Sequence, residues 1–345
     1  MLTKPTLIAG AVVAALAAVS SAAQATDFTG TLDYTLFTGG VNVWEVSFAY
    51  NDVTHVATLG TPTSIASSNG ADGIIFAPNG DLLIGGQTSG NVYEYTTAGK
   101  LVATQFTGTP NYHLSINPAG TAVYTSNFEG PLNTLTLPIG SGSTTRTISG
   151  GDSGVTQLAF APNGNVFYVN GNPNGHGNLG LVNLTTDSTM RLFTGVTPAH
   201  GLIYDPYTGL ITMFGAGFVG TFTQTGTDLK TGGPFNVDFD QGAVDGHGHA
   251  LIAGNNDITF LDYSGSHDIT HPNFVEIFTG FSGIDDVSPL VGPGSSHGAP
   301  EPGTLGLLVL GMLGLGLRRR SRSSRSGSEL ATEDVAGESA FAISR

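Results

Sequence analysis

Six polar residues recur along the chain at intervals of 40 to 45 residues, each beside the start of a short apolar run. They comprise three carboxylates, two imidazoles and one amide: Asp72, His113, Gln157, His200, Asp240 and Asp285. If the fold brings them together, they could bind a divalent cation through oxygen and imidazole, or supply a general acid and base. The sequence has no cysteine, which excludes thiolate ligands and a cysteine nucleophile.

The elements that must position these residues follow an internal repeat. The segment Phe76–Asp81, with the sequence Phe-Ala-Pro-Asn-Gly-Asp, recurs at 116–121 and 160–165, and more loosely at 204–209 and 244–249. The prolines of the first four copies step by 40, 44 and 44 residues, a period typical of four-stranded propeller blades. In each turn, proline presets φ and glycine supplies the positive φ that a tight strand connection needs.

Each repeat is interpreted as four β-strands, since the body shows no convincing 3.6-residue apolar period. The predicted first strands contain Ile74, Leu114, Leu158, Leu202, Ala243 and Ile284. Residues 31–60 look like the outer strands of a blade without its first strand, and residues 283–289 look like a first strand with nothing after it. The sequence therefore predicts an all-β, six-bladed β-propeller over residues 26–291. Its N- and C-terminal strands pair and leave no sheet edge open.

The first strand of each propeller blade lines the central channel, so we expect the six polar residues to form a ring at its mouth. The pairs Tyr112–His113, Asp240–Gln241 and Asp285–Asp286 add further polar groups there. A cation site or an acid–base site requires convergent groups, whereas a water-filled channel mouth is polar in any case. We expect no cofactor, with Ca²⁺ or another divalent cation as the alternative.

The repeats resemble bacterial six-bladed propellers of the NHL and SMP-30 type over most of residues 31–290. Enzymes of the SMP-30 group carry a metal-ligating glutamate on an inner strand. The glutamates of this body fall on predicted third strands, fourth strands or loops: Glu45, Glu94, Glu129 and Glu276. That departure counts against lactonase activity. Lyase propellers use histidine, so His113 and His200 leave an exported hydrolase or lyase as the alternative function.

The segment from Asp238 to His249 alternates side-chain oxygens in a way that suggests calcium. It lacks the asparagine-glycine turn and the terminal bidentate glutamate of an EF-hand loop. The sequence therefore favours a blade turn that carries polar side chains.

The body is strongly anionic. Between Thr26 and Ala299 there are four cations and 21 carboxylates, a formal balance of 4 minus 21, or −17. Nucleic-acid binding is excluded, because neutralising phosphates requires a basic patch. A net negative charge of this size keeps an exported protein soluble.

The first 25 residues predict a signal peptide. They contain a cation at Lys4, an apolar run from Leu7 to Val19, and the small residues Ala23 and Ala25 on either side of Gln24. This layout predicts cleavage by signal peptidase after Ala25. A transmembrane anchor is the alternative, but a span needs about 20 apolar residues.

The C-terminal region combines a Pro-Glu-Pro motif, an apolar segment at 303–317 and an arginine cluster. These residues are Pro300, Glu301 and Pro302, followed by Arg318, Arg319 and Arg320. In this order they resemble the PEP-CTERM sorting tail of Gram-negative bacteria. The resemblance implies recognition by an exosortase, processing near residues 300–302, and delivery to the cell surface or the exopolysaccharide matrix. Family tails usually stop soon after the arginines, whereas this chain continues to Arg345, so cleavage and retention of the tail both stay open.

The predicted plan is a propeller, a linker at 292–302, a short transmembrane segment at 303–317 and a basic, then polar, cytoplasmic tail at 318–345. A helix of 15 residues reaches about 22 Å, short of a hydrocarbon core of about 30 Å. The positive-inside rule keeps the arginines cytoplasmic. We therefore predict a protein that passes through the inner membrane to the surface or extracellular matrix. There its propeller would serve as a non-catalytic binding or structural module for a polysaccharide or protein partner.

Overall fold

The computed structural model describes residues 27–288, apart from residues 38–39, 128–131, 141–144, 149–153, 172–176, 197–198 and 236–238. In these residues, 25 strands form six antiparallel sheets, which are the six blades of a propeller. The predicted all-β, six-bladed fold is confirmed. The predicted signal peptide, linker, apolar C-terminal segment and tail lie outside the described residues.

The strands follow the chain from blade to blade. The chain begins with β1 (Asp27–Leu36), β2 (Val43–Asn51), β3 (Val56–Leu59) and β4 (Thr63–Ala66). Blade two contains β5 (Ala71–Phe76), β6 (Leu82–Gly86), β7 (Asn91–Tyr95) and β8 (Leu101–Phe106). Blade three contains β9 (Leu114–Ile116), β10 (Ala122–Thr125), β11 (Leu132–Thr136) and β12 (Thr145–Ile148).

The second half of the body repeats this arrangement. Blade four contains β13 (Val155–Phe160), β14 (Val166–Asn170), β15 (Gly177–Asn183) and β16 (Ser188–Val196). Blade five contains β17 (Ala199–Asp205), β18 (Leu210–Gly215), β19 (Phe218–Phe222) and β20 (Lys230–Gly232). Blade six contains β21 (Phe239–Val244), β22 (His249–Gly254), β23 (Asp257–Asp262) and β24 (Phe274–Thr279), and β25 (Ile284–Val287) follows it.

The repeated Pro-x-Gly segments are the turns between first and second strands. Gly80 and Gly164 both have a φ of 89°, a conformation that glycine adopts at no steric cost. The amide of Gly80 donates to the carbonyl of Ala77 at 2.9 Å, and the amide of Gly164 donates to Ala161 at 3.0 Å. The repeat motif therefore codes one turn geometry in successive blades.

The first and last strands share a sheet, which we call the closure blade, in the order β25-β1-β2-β3 with β4 also paired to β2. The predicted closure is confirmed, but the predicted bounds of 31–60 were too narrow. Strand β1 begins at Asp27, and β4 extends the outer position to Ala66. The strand reaches further back because Phe28 packs edge-on against Phe48, with ring centroids 6.1 Å apart.

The apolar core lies between neighbouring blades. Closure blade and blade six bury a cluster that includes Tyr50, Phe48 and Phe260, and blades four and five bury another that includes Phe167 and Phe222. Large side chains from adjacent sheets thus hold the blades in fixed positions around the channel. Within the described part of the chain, no helix is long and apolar enough to cross a membrane.

Candidate functional site at the channel mouth

The six predicted ring residues come from all six blades. The sequence suggested that all six lie just before the first strands, and His113 does immediately precede β9. The other five lie within first strands: Asp72 in β5, Gln157 in β13, His200 in β17, Asp240 in β21 and Asp285 in β25. Register shifts in the first-to-second-strand ladders explain the difference. The shifts fall between Ala71 and Ile74, between Ala199 and Gly201, and between Phe239 and Gly242. Such bulges redirect side chains from the strand face.

One part of the site is an imidazole–carboxylate cluster around Asp240. Nδ1 of His200 lies 2.8 Å from Oδ1 of Asp240, and Nε2 of His113 lies 3.4 Å from the same oxygen. Nε2 of His200 lies 3.1 Å from the carbonyl oxygen of Gly171. Because both nitrogens of the His200 ring face acceptors, this geometry suits the doubly protonated imidazolium.

The second part lies deeper. Asp72, His113 and Asp286 are 2%, 1% and 0% exposed, and they offer ligand atoms that all lie within 4.8 Å of one another. A pair of carboxylates and an imidazole at this spacing could coordinate one divalent cation.

Amide side chains hold these carboxyl groups in place. Nε2 of Gln87 donates to Oδ2 of Asp72 at 2.8 Å and to Oδ2 of Asp285 at 3.2 Å. With the amide nitrogen of Gln241 assigned to the side that faces Asp286, it donates to both oxygens of that carboxyl group, at 2.7 and 2.9 Å. In the same orientation, the amide oxygen of Gln241 accepts from Gln157.

The charges of the ring are strongly coupled. Burial, followed by repulsion from the other carboxylates, raises the pKa of Asp72 and of Asp286 well above the ordinary value. Burial and the charge of Asp240 raise the pKa of Asp285 in the same way. Burial opposes ionisation of Asp240 too, but the hydrogen bond with His200 and the nearby imidazoles lower its pKa overall. Burial lowers the pKa of His113 to about 4, so this ring is neutral at pH 7.

The structure brings together five of the six predicted residues through direct side-chain contacts. Gln157 joins the ring through Gln241 and accepts a hydrogen bond from the amide of Leu202. The sequence pattern did not indicate Gln87 as a member of the ring, because it follows the second strand of blade two and so lies outside the periodic first-strand position. Its charge-neutral amide gave no pattern from which to predict the contact.

The other motifs are structural. Oδ1 of Asp245 accepts from the amides of His247 and His249, and Oδ2 lies 2.7 Å from Nδ1 of His249. These contacts define the predicted polar blade turn, while Asp240 lies at the channel mouth. Asp238 lies outside the described residues. Glu45 and Glu94 are on third strands and Glu276 is on a fourth strand, as predicted; Glu129 lies outside the described range.

Comparison with known proteins adds the sorting signal. The family model of the PEP-CTERM protein-sorting motif matches residues 299–320. The chain is therefore an exported six-bladed propeller protein. More particularly, it carries a PEP-CTERM motif, which implies exosortase processing and association with the membrane or cell surface. No curated protein matches the chain by sequence.

Solved structures resemble the body. A chain from the crystal structure of a nidogen/laminin complex is 9% identical, with 76% of this chain and 98% of that chain covered and a TM-score of 0.58. Virginiamycin B lyase from Staphylococcus aureus is 10% identical over 74% of this chain and 89% of its own, with a TM-score of 0.49. Hydrazine synthase from Kuenenia stuttgartiensis is 13% identical over 71% and 80%, with a TM-score of 0.47. At such low identity, the first likeness shows the fold alone.

Proposed function

We propose that this protein is a component of the cell surface or extracellular matrix, including the exopolysaccharide of a biofilm, and that its propeller is a non-catalytic binding or structural module. The single observation that carries this proposal is the sorting motif at residues 299–320. The body adds support, because its four cations and 21 carboxylates between Thr26 and Ala299 give it a strong negative charge, which favours solubility outside the cell.

The channel mouth supports a non-catalytic role. His200 is paired with Asp240 and Gly171, and Gln87 binds two carboxyl groups at once. A ring whose polar groups bind one another stabilises the junction of the blades. The rigid ring then presents a fixed surface to a polysaccharide or protein partner.

The sorting step follows from the physics of the tail. Each arginine at the membrane centre costs roughly 2.5 to 3.5 kcal/mol on insertion scales, more than a short, glycine-rich apolar segment offsets. Arg318, Arg319 and Arg320 should therefore stop translocation and present Pro300-Glu301-Pro302 at the outer boundary of the membrane. Proline disfavours helix at the preceding residue, which keeps this segment extended for the exosortase.

The test is fractionation of a host that expresses variants of the full chain. Replacing Arg318, Arg319 and Arg320 by serine should abolish retention of the chain in the inner membrane during translocation. Replacing Pro300 and Pro302 by alanine should block sorting of the chain but preserve insertion of the apolar segment into the membrane. The matched controls are Arg322→Ser with Arg325→Ser, and Pro293→Ala, which change the same residue types outside the motif. If the motif variants are sorted like the wild type, the tail is an incidental anchor and the proposal falls.

The buried cluster of Asp72, His113 and Asp286 favours a second candidate function, an exported hydrolase or lyase. A bound divalent cation would polarise a carbonyl or phosphoryl oxygen of a substrate at the channel mouth. The His200–Asp240 pair would then act as a general acid and base. Retention of a metal after dialysis, together with its loss from a His113→Gln variant, would favour this candidate over the binding module.

A further inference from the structure

A cleft of about 670 Å³ lies between the closure blade and blade two, away from the channel mouth. Strands β1 and β2 supply most of its lining, including Asp33 and Glu45, and Phe76 and Thr97 of blade two lie across from them. The volume is within the range of small-molecule sites in proteins, about 300 to 1,000 Å³.

The cleft exists because the two faces of the closure blade have different chemistry. On one face, Leu32, Phe48 and Tyr50 pack against blade six in a closed apolar core. The alternate residues of the same strands, among them Thr31 and Ser47, are polar and point to the opposite face. An apolar cluster that includes Val43, Ala66 and Ile74 fills part of the junction with blade two. Beside the polar residues the junction stays open and forms the cleft.

Asp33 gives this cleft a feature that ordinary solvent-filled gaps lack. The residue is 4% exposed, and among the described residues its Oδ1 has no hydrogen-bond partner. Asp33 and Glu45 are direct cross-strand partners, which places two carboxyl groups on one wall. A buried carboxyl oxygen without a donor is costly unless a bound group supplies one.

The lining limits the kind of ligand. Five residues with hydroxyl side chains line the cleft together with the two carboxyl groups: Thr29, Thr31, Ser47, Thr58 and Thr97. Among the described lining residues there is no lysine, arginine or histidine, which disfavours phosphate, sulfate and uronate ligands. Phe76 is half-buried and offers an apolar face. This lining matches a neutral sugar. Carboxylates accept hydrogen bonds from sugar hydroxyls, threonine and serine hydroxyls both donate and accept, and the aromatic ring offers an apolar surface for a sugar ring.

We propose that this interblade cleft binds a neutral saccharide unit of a polysaccharide. The sugar hydroxyls donate to Asp33 and Glu45, the threonine and serine hydroxyls complete the contacts, and a ring face lies on Phe76. Burial and the charge of Glu45 raise the pKa of Asp33 to about 7, so near neutrality this group can also donate to a sugar oxygen. The inference gives the binding module a ligand class, and it rests on the proposed function for its place outside the cell.

The experiment is calorimetric titration of the full chain, purified in mild detergent, with cellotetraose, maltotetraose and chitotetraose, and with an alginate tetramer as the anionic probe. At least one neutral oligosaccharide should bind and the alginate tetramer should not. Glu45→Gln should weaken that binding about tenfold or more, since a hydrogen bond to a charged group is lost, and Thr31→Val should weaken it about threefold. Glu276→Gln, the same change on the outer strand of blade six, should leave it unchanged.

The outcomes separate this inference from the function on which it rests. If no neutral oligosaccharide binds, or if Asp240→Asn at the channel mouth abolishes binding and Glu45→Gln does not, the cleft assignment is overturned. Thermal unfolding of each variant shows whether a loss reflects misfolding, and Thr31→Val, which retains the side-chain shape, keeps the test decisive if Glu45→Gln is unstable. A chain that fails to reach the surface yet binds through the cleft contradicts only the sorting function.

Discussion

Leu36, near the start of the described chain, pairs with Ile284 near its end, and Tyr34 pairs with Val287 in the same ladder. Two further hydrogen bonds extend this pairing: the amide of Phe37 donates to the carbonyl of Gly283, and the amide of Ser288 donates to that of Asp33, each at 2.8 Å. The sheet that closes the ring is therefore held by non-covalent contacts between the two ends of the body. Blade two and blade six both depend on it for a covered face.

Deleting residues 283–290, or starting the chain at Ala71, should expose sheet edges and cause aggregation. Size-exclusion chromatography and thermal unfolding provide the measurement. Removal of residues 328–345, which lie beyond the sorting motif, is the control and should leave both readouts unchanged. A chain that starts at Ala71, stays monomeric and melts like the full protein would show that closure does not stabilise the ring.

Asp33→Asn should stabilise the protein in a pH-dependent way. The pKa of Asp33 rises from 3.8 to about 7 in the folded protein, so between these values the unfolded chain loses a proton that the folded protein keeps. Stability from this group is complete below pH 4 and falls as the pH rises to about 7. The variant should gain little at pH 4 and up to about 4 kcal/mol above pH 7.

Urea unfolding from pH 4 to pH 8 measures this effect. Glu45→Gln provides a check on the cause: without the neighbouring charge, the stability loss of the wild-type Asp33 should end at a lower pH. An equal gain from Asp33→Asn at pH 4 and pH 8 would contradict the assignment of a raised pKa.

Divalent cations should raise the melting temperature if the cluster of Asp72, His113 and Asp286 binds them, because a ligand that binds the folded state stabilises it. Scanning calorimetry with Ca²⁺, Mg²⁺, Mn²⁺ and Zn²⁺ would reveal the effect and the preferred ion. Asp72→Asn should abolish the shift, and Asp228→Asn, at an exposed turn, should retain it. If none of the four ions shifts the melting temperature, the prediction of a cation site is contradicted, and a structural or acid–base role is left for the ring.

Gly73→Ala should disrupt the same cluster without removing a ligand atom. A Cβ at Gly73 would lie 2.3 Å from the carbonyl oxygen of Tyr112 and 2.9 Å from Cα of His113, so blades two and three would have to separate. We expect a loss of stability of about 1 to 3 kcal/mol, typical of overpacking, and loss of any cation-dependent shift. Gly40→Ala is the control, because its Cβ would meet nothing within 4 Å.

Secretion should remove the first 25 residues and leave Thr26 at the N-terminus. Mass spectrometry of the exported protein tests this, and bulky residues at Ala23 and Ala25 should prevent the cleavage because the peptidase requires small side chains there. Gln24→Tyr changes the residue between them and should be tolerated. A mature protein that begins at Met1 would refute the signal peptide.

The repeat in the sequence was sufficient to predict the blades. Turns such as Ala77–Gly80 are local, and their proline and glycine impose φ whatever lies around them. The first strands at Ile74, Leu158 and Leu202 were found for the same reason, since a buried strand needs an apolar run with turn residues at its ends. The precise span of β1 was harder, because Phe28 becomes part of a strand by packing on Phe48.

The candidate site, like the fold, could be predicted from the sequence only in part. Spacing at the blade period predicted that His113, His200 and Asp240 would converge on the channel. It could not reveal the bulges beside His200 and Asp240, or the contact of Gln87 with Asp72 and Asp285. Nor could it reveal the shifted pKa values, which depend on burial and on the distance between charges from different blades.

Composition, the repeat and the C-terminal motif thus determined the fold class, the blade count, the net negative charge and the sorting motif, because each is encoded in composition, in neighbouring residues or in a regular period. The tertiary structure decided the partners of each side chain across blades. It placed Asp72 beside Asp286, and it left the polar face of Asp33 and Glu45 open toward Phe76. Those relations depend on how twisted sheets pack around an axis. The spacing of residues along the sequence does not give the distance between the packed faces of two blades.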